Sequence, residues 1–302
     1  MHSALELSGK IQRKLLALAF SEQWVIGARR QSGPSRPWGI EGCSLLEPPP
    51  GMHYADPFVI NAHGRTYVFF EAWRQPAAAR RGVILFSALD PAGQWRHPEL
   101  ALERPYHLSY PCVFSWNGDF YLLPETSRNR TIELYRAVQF PYRWTVASVL
   151  MDNVDAVDTT LFDCGDRWWM FAAGLGGGLA RYRSLCLFHA ATPLGPWLAH
   201  PLNPVVQNLG TARPAGRLFT LDGQLIRPGQ DCRSQYGYAI ALNRVNKLNE
   251  NEYNESCVAR VTPNLMAGWA ATHTFNQDGE WQVFDGKRLV RRPAGSASRP
   301  AA

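Results

Sequence analysis

The sequence predicts an all-β domain, a five-bladed β-propeller whose blades have four strands each. Three observations carry this prediction. A hairpin pattern recurs along the chain, a second pattern ending in Trp follows it at fixed spacing, and turn signals recur at intervals typical of propeller blades. The composition agrees, because 11 Trp, 11 Tyr, 14 Phe, 25 Gly and 22 Pro among 302 residues favour strands and turns over helices.

The first pattern is a hairpin made of a short apolar strand, a turn containing Gly or Asp, and an aromatic-rich strand. Its three clear copies begin at Asp56, Tyr110 and Asp158. Equivalent positions carry similar residues, which indicates an internal repeat. The matched turn and aromatic positions are Gly64 and Tyr67, Gly118 and Tyr121, and Asp166 and Trp169.

The second pattern follows each hairpin and begins with Leu, with Ala three positions later and Trp ten positions later. It adds a second hairpin to each repeat, and four strands per repeat are typical of a propeller blade. We expect its Trp residues to fill the wedges between blades rather than to stack on sugars. They are Trp95, Trp144 and Trp197.

Two looser copies, with turns at Asp222-Gly223 and Asp278-Gly279, complete a ring of five. Little chain follows the fifth copy, so we expect the segment Trp24–Ala28 to supply an outer strand that closes the ring and removes an exposed sheet edge. The alternative, a β-sandwich or a mixed α+β domain, does not explain three matched spacings. The predicted divisions are an N-terminal segment over residues 1–50, the propeller over 51–290 and a disordered tail over 291–302.

Charge and cysteine usage narrow the function classes. The formal net charge is +6, but no basic stripe has helical spacing, which argues against nucleic-acid binding and leaves an anionic glycan, a sugar nucleotide or a membrane surface. None of the six Cys forms a CxxC pair, so we predict no metal site and no cofactor, although Ca²⁺ in a carboxylate-lined channel stays open. The apolar run Leu15–Phe20 is too short for a secretory signal or a membrane span, which predicts a cytoplasmic protein.

Residues at equivalent repeat positions meet in space at one mouth of a propeller's central channel. The five repeat starts therefore predict a polar cluster that folding alone does not require. Each residue also has a structural interpretation: an Asp-Pro turn, an Asp that binds backbone amides, a satisfied buried His, or a packing Tyr. The repeat starts are Asp56, Tyr110, Asp158, Arg213 and His273.

Two further acids, Glu71 and Glu125, follow apolar strands in the first two repeats. A buried carboxyl has a raised pKa and becomes a proton donor near neutral pH, as a general acid requires. The structural alternative is an ion pair with Arg128 or Arg213.

The run over residues 227–232 places Gln230 and Asp231 after a strand, where both are suitable partners for sugar hydroxyls; the alternative is a polar turn between blades. Paired carboxylates across a pocket are the chemistry of glycoside cleavage. Asp56, Asp158 and either Glu125 or Asp231 would supply that set. The predicted sugar-binding residues are Tyr110, Arg213, Gln230, Asp231, His273 and Glu71.

The motif Asp56-Pro57-Phe58-Val59, with Asp158 opening the third blade, resembles the arabinanase, levansucrase and invertase superfamily of glycoside hydrolases. The resemblance implies that Asp56 is the base or nucleophile and that Asp158 orients it and tunes its pKa. The motifs YPCVF, LPETS, FPYRW, DTTLF, RPAG, RPGQDC, YG and HTFN, in this order over about residues 50–290, are similar to the N-terminal domain of plant glucosamine inositolphosphorylceramide transferase. In that plant protein glycosyl transfer belongs to another domain, so the resemblance does not imply transfer here.

One departure keeps catalysis open. In the hydrolase superfamily a Glu acid opens a later blade, whereas the fourth-blade stretch reads Ala212–Gly216 without an acid. Glu125 or Asp231 replaces it, or the pocket binds a glycan without cleaving it. The first hypothesis is a glycosidase or transglycosidase with Glu125 as the acid. The second is a glycan-binding module associated with enzymes of polysaccharide or glycolipid synthesis, and the third is a protein-interaction propeller, which predicts no inward polar cluster.

Overall fold

Five antiparallel sheets, each with a path of four paired strands, form a five-bladed β-propeller in a computed structural model of the protein. The fold class predicted from the repeat is therefore confirmed. The structure describes residues 20–31, 42–74, 81–263 and 268–291. The predicted disordered tail lies outside these residues except for Arg291. Within the described ranges no helix has the length and apolar composition that crossing a membrane requires.

Blades 1 and 2 follow the first two of the three clear repeats, each as an inner hairpin followed by an outer hairpin. A short 3₁₀ turn, Ser127–Asn129, lies between the two hairpins of blade 2. The strands of blade 1 are β3 (Met52–Ala62), β4 (Arg65–Arg74), β5 (Val83–Leu89) and β6 (Glu99–Leu102), and those of blade 2 are β7 (Ser109–Trp116), β8 (Asp119–Glu125), β9 (Thr131–Gln139) and β10 (Arg143–Asp152).

Blades 3 and 4 have the same order but shorter or less regular edges. A four-residue helix, α1 (Ala180–Arg183), precedes the third strand of blade 3. The strands of blade 3 are β11 (Val157–Asp163), β12 (Trp168–Ala173), β13 (Ser184–Ala190), β14 (Leu198–Ala199) and β15 (Val206–Gln207), and those of blade 4 are β16 (Phe219–Leu221), β17 (Gln224–Asp231), β18 (Ala239–Leu248) and β19 (Tyr253–Val261).

Blade 5 joins the two ends of the chain. Its inner positions are β20 (Trp269–Ala271) and β21 (Phe275–Asp278), which both pair with β22 (Trp281–Arg291). The other edge of β22 pairs along its full length with β1 (Phe20–Arg30), and β1 then pairs with β2 (Ser44–Leu46). The predicted N-terminal closing strand is therefore present, and the N-terminal segment supplies a second outer strand as well.

Buried apolar clusters fill the wedges between neighbouring blades, which is where the hydrophobic energy of a propeller resides. One cluster spans blades 1 to 3, and others join blades 3 and 4, 4 and 5, and 5 and 1. Trp144 of blade 2 packs edge-on against Phe69 of blade 1, with ring centroids 5.8 Å apart. This contact agrees with the interblade role predicted for the repeated Trp.

The inner strands have an unusual backbone where they approach the channel mouth. The pairing register of the inner strand breaks within β3 of blade 1 and at the start of β7 and β11 in blades 2 and 3. One residue in each break has positive φ although it is not Gly: 52° at Asp56, 46° at Tyr110 and 50° at Asp158. Such β-bulges redirect side chains and are frequent beside active sites.

Candidate active site

A cavity of about 600 Å³ opens at the mouth where the inner strands begin. Its walls are polar and come from all five blades. Six of the predicted site residues meet here, although up to 217 positions separate them in sequence (273 minus 56). They are Asp56, Glu71, Glu125, Asp158, Arg213 and His273.

Asp56 lies on the first blade, buried to 5% exposure. Its Oδ1 accepts a hydrogen bond from the Thr274 hydroxyl at 2.7 Å, and the His273 Nδ1 is 3.8 Å away. Its Oδ2 has no hydrogen-bond partner among the described residues, so this oxygen is available to a ligand. Burial raises the pKa of Asp56 to about 6, a rise that the charge of His273 opposes.

A fully buried acid, Asp285, organises this side of the cavity. Its Oδ2 accepts the backbone N–H of Asp56 at 3.0 Å and the Nδ1 proton of His273 at 2.6 Å. The imidazole also stacks on Trp24, with ring centroids 4.2 Å apart. Burial lowers the pKa of His273, but the charges of Asp285 and Asp56 outweigh that effect, so the pKa is raised and favours the imidazolium.

Asp158 is held differently, by an ion pair that crosses from blade 3 to blade 4. The Arg213 Nε donates to Asp158 Oδ2 at 2.5 Å, and the Gln230 side chain donates to the same oxygen at 2.8 Å. Burial raises the pKa of Asp158 to about 6, while the charge of Arg213 opposes the rise and that of Glu125 adds to it. Asp158 therefore binds side chains rather than the neighbouring amides considered as an alternative.

Glu125 ends β8 and is half-buried beside Asp158. The Ser127 hydroxyl donates to Glu125 Oε1 at 2.6 Å, and the backbone N–H of Asp158 donates to Oε2 at 3.3 Å. Neither Arg128 nor Arg213 pairs with Glu125, so the predicted ion-pair alternative is not what the structure has.

Glu71 forms a second histidine–carboxylate pair, on blade 1. The His107 Nε2 lies 3.2 Å from Glu71 Oε1. The other ring nitrogen, Nδ1, accepts the backbone N–H of Gly82 at 2.9 Å, which places a proton on Nε2. Glu71 therefore pairs with a histidine on the cavity wall, and neither Arg128 nor Arg213 forms an ion pair with it.

Three predicted sugar-binding residues do not line the cavity. Tyr110 is fully buried. Its hydroxyl accepts the N–H of Gly216 at 2.6 Å and lies 2.8 Å from the Thr160 hydroxyl. Its predicted contact with sugar is therefore wrong, and Tyr110 packs below the cavity. The Gln230 side chain is also buried, and its amide donates to Asp158 and to the Pro214 carbonyl at 3.0 Å, which contradicts its predicted contact with sugar.

Asp231 lies outside the cavity lining, and its carboxylate binds Arg233 and Arg260 at 2.7 and 2.6 Å. The structure contradicts both its predicted contact with sugar and its alternative role as the acid, because the buried carboxylate is held by these two arginines. Successive strand residues face opposite sides, so Gln230 and Asp231 cannot both point at Asp158.

A family model described as "Glucosamine inositolphosphorylceramide transferase 1, N-terminal" matches residues 45–277. The chain belongs to this family. Glucosamine inositolphosphorylceramide transferase 1 of Oryza sativa subsp. japonica is 34% identical over 264 residues, covering 83% of this chain and 35% of the relative. The Arabidopsis thaliana protein of the same name is 33% identical over 210 residues, covering 68% of this chain and 27% of the relative. The chain thus spans about a third of the length of the curated relatives it matches.

Solved structures show which fold this N-terminal family shares. A family 117 glycoside hydrolase from Zobellia galactanivorans superposes with a TM-score of 0.54 over 92% of this chain and 96% of its own, at 13% identity. The β-xylosidase RS223 gives 0.56 over 80% and 93%, at 11% identity. A GH43_1 enzyme from Xanthomonas citri, solved with xylotriose, gives 0.55 over 80% and 88%, at 10% identity. At these identities the likeness concerns the fold alone.

Several residues that line the cavity were not predicted from the sequence. Trp24 and Trp73 line one side, and Tyr182 and Tyr236 flank Arg213, whose guanidinium lies 4.9 Å from the Tyr236 ring centre. Tyr182 lies in α1 and Tyr236 in a turn, and neither segment carries a repeat signal. Asp285 has a recognisable sequence feature, because it follows a buried apolar run as Glu71 and Glu125 do.

The residues best placed to hold a metal are Asp56, His273 and Asp285, whose ligand atoms lie within 4.8 Å of one another. Nδ1 of His273 and Oδ2 of Asp285, however, are 2.6 Å apart and share a proton. Two ligands of one ion about 2.1 Å from it stand roughly 3 Å apart, and the nitrogen must be unprotonated. The three side chains therefore fit an ion-pair network better than a metal site.

Proposed function

We propose that this chain binds a glycan in the central cavity and cleaves or transfers a glycosidic bond there. The observation that carries the proposal is the position of Asp56, Asp158 and Glu125. These three carboxyls come from three different blades and line one polar cavity. Paired carboxylates on either side of a sugar are what glycoside hydrolysis uses. The glycosidase fold of the structural neighbours supports the same class of ligand.

Asp56 is the base or nucleophile in this proposal. Thr274 fixes one of its oxygens, and the unpartnered Oδ2 is left for a water molecule or the sugar. A pKa of about 6 leaves the carboxylate mostly ionised at pH 7 while keeping it a competent proton acceptor. The left-handed backbone at this residue is the kind of strain that clusters at functional sites.

Glu125 is the acid, and Asp158 positions it. The Ser127 hydroxyl and the Asp158 N–H fix both oxygens of Glu125, so its carboxyl has a defined direction. Asp158 itself is engaged by Arg213 and cannot readily serve as a nucleophile. The aromatic side chains of the wall give the apolar surface that ligand pockets combine with a few polar groups.

Glycan binding without cleavage is the second candidate, and Arg213 favours it. This residue occupies the fourth-blade position where the hydrolase superfamily carries an acid, and it neutralises Asp158. The chain would then serve as a recognition module associated with glycan-synthesis enzymes, consistent with relatives in which it forms about a third of a protein named as a transferase.

A glycan array followed by product analysis separates the two candidates. The variants Asp56→Asn and Glu125→Gln are compared with Asp222→Asn, which makes the same substitution at an equally left-handed residue in an exposed turn, and with Glu280→Gln at the exposed surface. Cleavage predicts product from the wild type and both controls and at least about a hundredfold loss in the two cavity variants. Binding without product selects the recognition module. No glycan bound by any form of the protein overturns both.

A further inference from the structure

Both carboxylate oxygens of Asp285 accept hydrogen bonds. Oδ1 accepts the backbone N–H groups of His273 at 2.9 Å and Thr274 at 3.0 Å. Oδ2 accepts the Asp56 N–H and the His273 imidazole. The side chain has no measurable exposure, and a fully buried carboxylate persists only when it is paired and hydrogen-bonded in this way.

Asp285 lies between the strand pairing that closes the ring and the cavity. It lies on β22, where it is paired with Ile26 of β1, so it belongs to the pairing that closes the ring. Its bond to the Asp56 N–H crosses from the last blade to the first. One carboxylate thus connects the ring closure to the proposed catalytic residue.

We propose that Asp285 is a positioning residue: it fixes Asp56 in its left-handed conformation and holds His273 as an imidazolium beside it. The inference rests on the proposed function only in the role it gives Asp56. A protonated His273 supplies the positive charge that a buried Asp56 needs to ionise.

The groups around His273 are consistent with this role. Asp285 of β22 and Asp56 of β3 face it with negative charge, and Asp158 of β11 adds a more distant one. The Trp24 ring of β1 covers one face of the imidazole, and the Tyr236 ring meets it edge-on at 5.5 Å. The cations of the cavity that lie nearest to these rings are Lys287, 5.9 Å from the centre of the Trp24 ring, and Arg213, 4.9 Å from the centre of the Tyr236 ring.

Substitution of Asp285 tests the proposal directly. Asp285→Asn keeps the shape but turns an NH₂ group toward N–H donors and removes the charge. The pH titration of the histidine ring signals by NMR then reads out the effect, with the His273 signal assigned by its loss in His273→Gln. His107, which pairs with Glu71 in the same cavity, is the internal control.

The expected result is a downward shift of the His273 titration midpoint with that of His107 unchanged. A His273 midpoint that does not move in folded Asp285→Asn overturns the proposal, and so does an equal shift of both histidines, because that reports general loosening.

His273→Gln is the second variant, needed if Asp285→Asn does not fold. It leaves the bonds of Asp285 to the backbone amides in place, and it removes the cation together with the ring that stacks on Trp24. The carboxyl ¹³C signal of Asp56 is then expected to titrate at higher pH than in the wild type, and an unchanged midpoint overturns the proposal. Neither titration needs a substrate, so a failure of the glycan assays and a failure here are distinguishable.

Discussion

The two ends of the inner hairpins adopt the same left-handed backbone in opposite surroundings. At the turn end the positive-φ residues are His63, Asn117 and Asp222, each exposed and followed by a Gly. At the cavity end they are Asp56, Tyr110 and Asp158, all buried and none followed by Gly.

The difference separates two causes of one conformation. Paired left-handed residues are what a two-residue type I′ hairpin requires, so the turn end needs them to reverse the chain. No reversal occurs at the cavity end, where the same conformation lies within a strand and costs about 1–2 kcal/mol per residue. The strained backbone there directs the side chain toward the cavity in two of the three blades, where the residue is an Asp.

The largest effect is expected for Asp158→Asn compared with Asp222→Asn. The first leaves the buried Arg213 guanidinium without its countercharge and should lower the free energy of unfolding by about 3 kcal/mol. The second replaces one residue that tolerates positive φ by another and should change it by less than about 0.5 kcal/mol. Denaturant midpoints at pH 7 measure both changes in stability. Equal losses would show that the buried Asp158 contributes no more to stability than the exposed Asp222.

A pH-dependent effect comes next, from Asp56→Asn. Folding raises the pKa of Asp56 from the ordinary 3.8 to about 6, so the folded state holds this proton more tightly than the unfolded state does. Wild-type stability therefore falls relative to the variant as pH rises from about 4 to about 6, by up to about 3 kcal/mol at about 1.4 kcal/mol per pKa unit. The raised pKa of His273 stabilises the folded state below pH 6.5, and this contribution is lost only as pH rises above that value, so it lies outside the range from pH 4 to pH 6.

Unfolding curves recorded between pH 4 and pH 7 check this dependence. Asp222→Asn makes the same substitution at an exposed turn and is recorded alongside as the control for the substitution itself. A flat difference between wild type and Asp56→Asn would show that burial does not perturb the cavity carboxyl.

The smallest effect is expected for Gly118→Ala at the turn end. Gly118 has a φ of 81°, and a Cβ added there meets no atom within 4 Å, so the cost is backbone strain alone. We expect a loss of about 1 kcal/mol, measured as above, with the histidine titrations of the cavity unchanged. A shift in those titrations would show that the two ends are coupled.

Much of this arrangement was predictable because the repeat fixes it. The spacing of turns and Trp residues predicted the blades, and the short fifth copy predicted an N-terminal closing strand. Asp56, Asp158 and His273 were placed together because equivalent repeat positions converge on one axis. Tyr182 and Tyr236 were not predictable in this way, since they lie outside the repeated strands.

Two errors have local causes. Asp231 was grouped with Gln230, although alternation along a strand sends neighbours to opposite faces. Asp285 was not predicted, because the fifth copy matches the other repeats mainly at its turn. An acid after an apolar run, the feature that predicted Glu71 and Glu125, is present at Asp285 too.

The pairing of β1 with β22 also bears on when the cavity can form. The hydrogen bond from Asp56 to Asp285 spans 229 positions, and β22 lies near the last of the described residues. This bond can form only after residue 285 has been synthesised, and forming it closes a long loop of chain. The wall of the cavity that holds Asp56 is therefore complete only once β22 has joined the ring.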